Sequence, residues 1–336
     1  MRGPALLLLA ACACTPPAPT PDAAPASSAS ASAAGVVEAG SGLSFTFADA
    51  SPVAVLDAGS ADLSGYLDAA PKSGKSVGHT SVVFKLDLAG DLVAAYKPES
   101  KRGHRRYRGE IAAYRLGLGL HLRNVPPALP RAFDPKDLRA AVAKDAAAAK
   151  LFDDEAVVAT DGKIHGAIIP WIPKLEFLPL EGAPWRARFT GWLSHDGVIP
   201  EEQRALAGQI STMIAFDLIT GNWDRWSGGN VGLDRATNTL LFIDNDGTFF
   251  DPVPPQPLAA QLALLKKVDH FSKSFVKSVR AMDVISLADA IGFEVSPEPL
   301  LSPKVLAAAD ERRRKVLEIV DGKIAAWGEA SVLSFE

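Results

Sequence analysis

Of 336 residues only two are cysteine, and both, Cys12 and Cys14, lie at the very start of the chain. From position 15 onward there are none, which excludes disulfides and cysteine-ligated zinc from the fold that forms there. Charge of either sign is not in excess: the formal net charge is −4 and 22% of residues are charged. That balance lacks the basic footprint of a nucleic-acid binder, so no nucleic-acid partner is expected. No apolar run approaches the roughly 20 residues that a bilayer-spanning helix needs, and no segment repeats at a fixed period. What is present is ordinary globular material, 48% apolar, in a chain longer than one average domain but not long enough to require several.

The composition is uneven along the chain. One Arg precedes an unbroken small and apolar stretch from Ala5 to Ala11, which reads as a short secretory signal. Leu9-Ala10-Ala11-Cys12 resembles a bacterial lipobox, in which the chain is cut before the cysteine and the thiol is lipidated. The resemblance implies a signal peptide over residues 1–11, lipidation at Cys12, and export to a bacterial membrane anchored by lipid on its periplasmic or cell-surface side. Residues 12–42, mostly Pro, Ala, Ser, Thr and Gly, cannot bury enough surface to offset their ordering entropy and are expected to form a disordered tether. The globular body is expected from residue 43 onward.

Within the body, Val82–Leu86 and Leu92–Lys97 alternate with period two around Ala89-Gly90-Asp91 and predict a hairpin closed by Pro98. The Gly- and Ser-containing segment from Lys72 to Gly78 reads as a loop. Arg108–Leu120 has Ile111, Tyr114 and Leu118 at helical spacing, and the Ala-rich stretch 136–152 predicts one further helix. Ala156–Thr160 and Lys163–Trp171 flank Asp161-Gly162 as a second hairpin. Glu201–Thr220 is an amphipathic helix stopped by Gly221, and Val231–Asp234 with Thr239–Asp244 forms a third hairpin turning at Arg235–Asn238. Four more helices are expected, near 258–265, 272–282, 284–291 and 304–327. A strand-rich first half and a helix-rich second half predict an α+β, two-lobed fold, with an N-lobe over residues 43–170 and a C-lobe over 171–336.

The chemistry is concentrated between Asp217 and Gly247. Asp224 sits in a Gly-bounded loop after a buried helix, where a side chain is placed firmly yet stays accessible. The third hairpin's register sets Asn230 opposite or beside Asp244, gathering two carboxylates and a carboxamide. Such hard oxygen donors suit Mg2+ or Mn2+ bound together with substrate phosphates. An EF-hand calcium loop fits poorly, because the twelfth residue counted from Asp244 is Pro255. Base Asp, metal Asn and metal Asp, in that order, match a kinase catalytic loop and its metal aspartate. Lys97, ending an apolar strand, and Glu110, opening the next helix, match the pair that positions nucleotide phosphates. The basic run Lys101, Arg102, His104, Arg105, Arg106 and Arg108 between them could touch phosphate or an acidic substrate but reads first as a solvated loop, and Asn245-Asp246-Gly247 as a plain turn.

These blocks, in this order, resemble the secretory-pathway kinases of the four-jointed and Golgi casein kinase type. Ala95-Tyr96-Lys97-Pro98 is similar to the nucleotide-lysine strand. Glu110-Ile111-Ala112-Ala113-Tyr114 with Arg123-Asn124-Val125-Pro126-Pro127 is similar to the metal-binding helix and the Val-Pro-Pro after it. Ile164–Pro170 resembles the interlobe hinge strand, Phe216–Arg225 the catalytic loop, and Ile243-Asp244-Asn245 the metal aspartate. The resemblance spans residues 75–325 and implies an atypical kinase fold related to HipA and the phosphoinositide kinases. It further implies ATP and Mg2+ or Mn2+ as cofactors, with Asp224 as catalytic base. Lys97, Glu110, Ile169 and Trp171 would bind nucleotide, and Asp244, Asn230 and Glu110 the metal. The expected partners are ATP, an acceptor hydroxyl on a protein or glycan, and a membrane reached through the lipid anchor. Trp226-Ser227 stand where the family commonly has two histidines, and Gly228-Gly229 put Asn230 one position late. A pseudokinase scaffold therefore stands as the alternative to a protein or sugar kinase.

Overall fold

The computed structural model describes residues 36–38, 44–46, 63–78, 81–295 and 298–336. The expected signal peptide (1–11), Cys12 and residues 13–35 of the expected tether lie outside the described residues. Strand β1 (Val36–Glu38), within the expected tether, pairs antiparallel with β2 (Ser44–Thr46). Two adjacent β-branched valines suit a strand there.

After a short helix α1 (Ser64–Asp68), the N-lobe is built on five antiparallel strands: β3 (Pro71–Ser76), β4 (Phe84–Leu88), β5 (Val93–Pro98), β6 (Leu129–Phe133) and β7 (Ile164–Pro170). Their order across the sheet is β3-β4-β5-β7-β6. The Ala89–Asp91 turn joins β4 to β5 as expected, with Gly90 at φ 72°. Lys72–Ser76, by contrast, is strand and not loop: it pairs with β4, and Gly74 lets Leu86 and Val142 approach. Helix α2 (Tyr107–Gly119) comes after β5. The single helix expected at 136–152 is two, α3 (Pro135–Val142) and α4 (Ala146–Glu155), because the Asp145 side chain caps Ala148 N–H and starts a new helix. The second expected hairpin does not form. The Asp161-Gly162 turn closes, but Val157 N–H donates to Glu99 O at 3.2 Å, and β7 pairs with β5 and β6 instead.

Period two sorts the sheet's residues by face. Phe84, Leu86, Tyr96 and Ile168 fall on one face and are wholly buried. Lys85, Ala95, Lys97, Ala167 and Ile169 fall on the other.

The C-lobe begins with a three-stranded sheet, β8 (Glu176–Phe177), β9 (Val231–Asp234) and β10 (Thr239–Phe242), with β9 in the middle. The β9–β10 turn falls at residues 235–238, as the pattern predicts. The rest is helical: α5 (Ala183–Trp192), α6 (Arg204–Thr220), α7 (Pro255–Leu265), α8 (Lys273–Ala281), α9 (Val284–Ile291), α10 (Pro303–Trp327) and α11 (Glu329–Val332), with a small pairing of β11 (Phe293–Val295) and β12 (Glu298–Pro299) between α9 and α10. Helix α6 is apolar around most of its circumference, with Ala207, Ile210, Met213, Ile214, Phe216, Leu218 and Ile219 buried, which makes it the core of this lobe. Among the described residues no helix is long and apolar enough to cross a membrane.

Helix α2 belongs to both halves. It packs on β7, yet Arg115 Nη1 donates to Ile291 O of α9 at 2.6 Å, and Gly119 runs so near α9 that a Cβ would lie 3.1 Å from Ala290.

Candidate active site

Gly221 ends α6 in the left-handed conformation, φ 65°, which a residue without Cβ adopts without strain. Asn222 N–H then bonds back to Asp217 O at 3.0 Å, and Asn222 Oδ1 accepts from Asp224 N–H at 3.1 Å. This Asx turn brings Asp224 out of the helix end toward the 245–247 turn. Gly247 lies so close that a Cβ there would come within 2.9 Å of the Asp224 Cβ.

Arg225, next in sequence, is buried and holds four pieces of chain together. Its guanidinium meets the Asp217 carboxylate at 3.0–3.2 Å, Asn230 O at 2.7 Å, Ile243 O at 2.5 Å and Asn245 Oδ1 at 2.6 Å. The helix end, the loop, the start of β9 and the end of β10 thus converge on one side chain. Burial pushes the Asp217 carboxyl upward, and the Arg225 charge opposes it.

Just beyond β10, Asp244 adopts φ 56°, ψ 61°, a left-handed backbone that non-glycine residues take at a cost and that clusters at functional sites. The chain then makes a single turn over Asn245–Gly247. The Lys97 ammonium arrives from β5, with Glu110 Oε1 at 2.5 Å, Asp244 Oδ1 in contact and Asp246 Oδ2 at 3.6 Å. Burial alone would depress the Lys97 ammonium, but the three carboxylates, Asp244 foremost, hold it well above its ordinary value. Burial raises Glu110 against the pull of Lys97. Burial would also raise Asp244, but the Lys97 charge and hydrogen bond win and leave it below the usual carboxylate range. Asp224 is raised, first by burial and then by the negative charges of Asp244 and Asp246, with Ser227 and Arg106 opposing.

The structure therefore brings Lys97, Glu110, Asp244 and Asp224 to one place. Asn230 lies beside them, but its Nδ2 donates to Asp224 O at 2.7 Å and Ser227 Oγ at 3.2 Å, closing its own loop. Ile169 pairs with Ala95 on the Lys97 face of the sheet. Trp171 follows on the same parity, is 38% exposed, and carries the Lys85 ammonium 4.1 Å above its ring. Three residues escaped the sequence reading. Asp246 is no plain turn residue, since it accepts from Arg106 at 2.7 Å as well as facing Lys97. Arg106 is not solvated like a loop residue, and Arg225 clamps the loop from within the core. Three others of the basic run are tied outward: Lys101 to Asp154 O, Arg102 to Glu155 and Arg105 to Glu99.

For a divalent cation the donors have the right chemistry. Among the described residues no three His, Cys, Asp or Glu side chains form a ready-made cage. Asp244 is 36% exposed beside buried Asp246 and Glu110. One or two carboxylates completed by substrate oxygens is how Mg2+ is usually held.

This two-lobed α+β arrangement is a kinase-like fold. In particular, the chain is similar to a Golgi casein kinase solved with Mn/ADP bound (17% identity, 81% of this chain and 77% of that one, TM-score 0.59). A second structure of the Golgi casein kinase matches at 17% identity over 81% and 76% of the two chains, TM-score 0.60. Hydra Fam20 with sugar matches at 16% identity over 80% and 90%, TM-score 0.59. No protein-family model and no curated protein sequence matches the chain.

Proposed function

We propose that this chain is a metal-dependent kinase that transfers the γ-phosphate of ATP to a hydroxyl, with a protein Ser/Thr acceptor preferred and a sugar hydroxyl as the alternative. The observation that carries the reading is the meeting of Lys97 with Glu110 and Asp244 across from Asp224, on a fold shared with kinases. Lys97 supplies the fixed positive charge for nucleotide phosphates, and Glu110 holds its ammonium in place. Asp224 accepts the acceptor's proton, and its raised carboxyl favours that role over that of an ordinary surface aspartate. Ile169 and Trp171 offer an apolar edge for the base on the Lys97 face. Asp244, with Asp246 and Glu110 behind it, would hold Mg2+ or Mn2+. The metal would neutralise charge on the phosphates.

The test is phosphate incorporation from labelled ATP into protein and glycan acceptors, with each metal. Asp224→Ala should abolish transfer while nucleotide binding survives; incorporation that persists in that variant removes Asp224 from its role. A pseudokinase scaffold is the second reading, favoured by Trp226-Ser227 standing where the resemblance expects two histidines. Nucleotide binding with no transfer to any acceptor would support it. Export and lipid anchoring at Cys12 complete the proposal, and radiolabelled fatty acid should enter the wild type but not Cys12→Ser.

A further inference from the structure

The proposed chemistry makes no use of Arg106, whose guanidinium bonds Asp246 beside Asp244. Arg106 caps α2 one turn before Glu110, so the two side chains leave the same side of the helix toward the cleft. Its Nη2 donates to Asp246 Oδ1 at 2.7 Å and its Nε to Asp246 O at 3.3 Å. The rings of Trp223 and Phe250 lie 5.3 Å and 5.9 Å from the guanidinium carbon and stand edge-on to each other. The Arg106 side chain is 28% exposed, so it meets solvent while Asp246 and the two rings hold it. Its charge is a minor influence on both aspartates, behind burial, Ser227, Asp244 and Asp246 at Asp224 and behind burial and Lys97 at Asp244.

The charge balance of the cleft gives this cation a task. Among the described residues four carboxylates, Asp224, Glu110, Asp244 and Asp246, share the site with the buried ammonium of Lys97, while the buried Arg225 guanidinium nearby is paired with Asp217. A phosphoryl group in transit between Asp244 and the hydroxyl at Asp224 carries negative charge away from Lys97, past a cluster of acids. A second cation beside both aspartates offsets that repulsion. Asp246 engages the Nε and Nη2 of this planar guanidinium, which leaves the donors of its Nη1 side for phosphate oxygens.

We propose that Arg106 contacts the transferring γ-phosphoryl group and that Asp246, with Trp223 and Phe250, holds its guanidinium at the mouth of the cleft. The proposal rests on the kinase reading and names a residue which that reading does not use. The γ-phosphate is the part of ATP that ADP lacks, so a contact there changes the two affinities unequally.

The experiment is calorimetric titration of the full chain, in Mn2+, with ADP and with a non-hydrolysable ATP analogue. Arg106→Ala should weaken the triphosphate about tenfold or more and leave ADP within about twofold, as expected for loss of one charge-assisted contact. Arg106→Lys should fall between, since an ammonium keeps the charge and loses the fork. It also keeps the test readable if the alanine variant melts early. Equal loss for both nucleotides, or no loss for either, in a variant that melts like wild type overturns the proposal. A wild-type chain that binds neither nucleotide overturns the kinase reading and this proposal with it.

Discussion

At the scale of single residues the site is governed by burial set against pairing. Lys97 and Glu110 are nearly out of solvent, with side chains 9% and 4% exposed. Breaking a buried pair by removing one partner costs about 3–5 kcal/mol, because the remaining charge is left uncompensated. Lys97→Met should therefore destabilise the fold by about that amount in a denaturant titration. Mn2+ should recover more stability in this variant than in wild type, since three carboxylates are then released to it. Asp224 behaves in the opposite sense. Its native carboxyl is raised, so the folded chain keeps a proton that the unfolded chain has already lost. Stability contributed by the neutral form is lost as pH rises from the ordinary aspartate value through the raised one. Asp224→Asn should thus melt higher than wild type at neutral pH while losing about 10²–10⁴ in transfer rate. In wild type the transfer rate should fall on acidification at a pH above the ordinary aspartate range.

Between elements, the decisive contact is α2 against the turn after Asp244. Thr248 Oγ1 lies 3.0 Å from Gly109 O and 2.7 Å from Asn245 O. A Cβ on Gly109 would come within 2.8 Å of that hydroxyl and 2.9 Å of the Asn245 carbonyl. Gly109→Ala should cost about 1–3 kcal/mol, the range for overpacking a close contact, and should raise the nucleotide Kd by moving Glu110 off Lys97. Calorimetry beside a melting curve checks both. Legibility in the sequence also divides at this scale. The β4–β5 and β9–β10 hairpins and α6 could be read because turn, period and stop signal lie within one short window. Strand β6 could not, since Pro130 and Arg131 interrupt its pattern and its partner β7 begins about 30 residues later. Strand β3 has no apolar alternation and is ordered by the edge of β4. Among site residues, Lys97, Glu110 and Asp244 stood out because each ends or opens a recognisable element, and Asp224 because it sits in a Gly-bounded loop just after one. Asp246 and Arg106 did not, because their pairing joins positions 140 residues apart, and a turn Asp and a loop Arg look alike whether paired or solvated.

For the whole molecule, ligand binding and folding should be linked. A ligand taken by the native chain alone at a hundred times its Kd adds about 2.7 kcal/mol. ATP with Mn2+ should therefore raise the melting temperature, and ATP without metal should do so less. No shift with either metal would count against nucleotide binding altogether. The placement of α2 has a further consequence for motion. In a two-lobed enzyme whose glutamate helix rides on the small lobe, that helix can swing while the large lobe stays still. Here Arg115, Gly109 and Gly119 fasten the helix to α9 and to the turn beyond Asp244. Spin labels on α2 and α9 should accordingly keep one narrow distance with or without nucleotide, while labels on β4 and α2 should report a change. If nucleotide moves the sheet against the helices, it should carry Lys97 to and from a Glu110 that stays with α9 and the turn beyond Asp244.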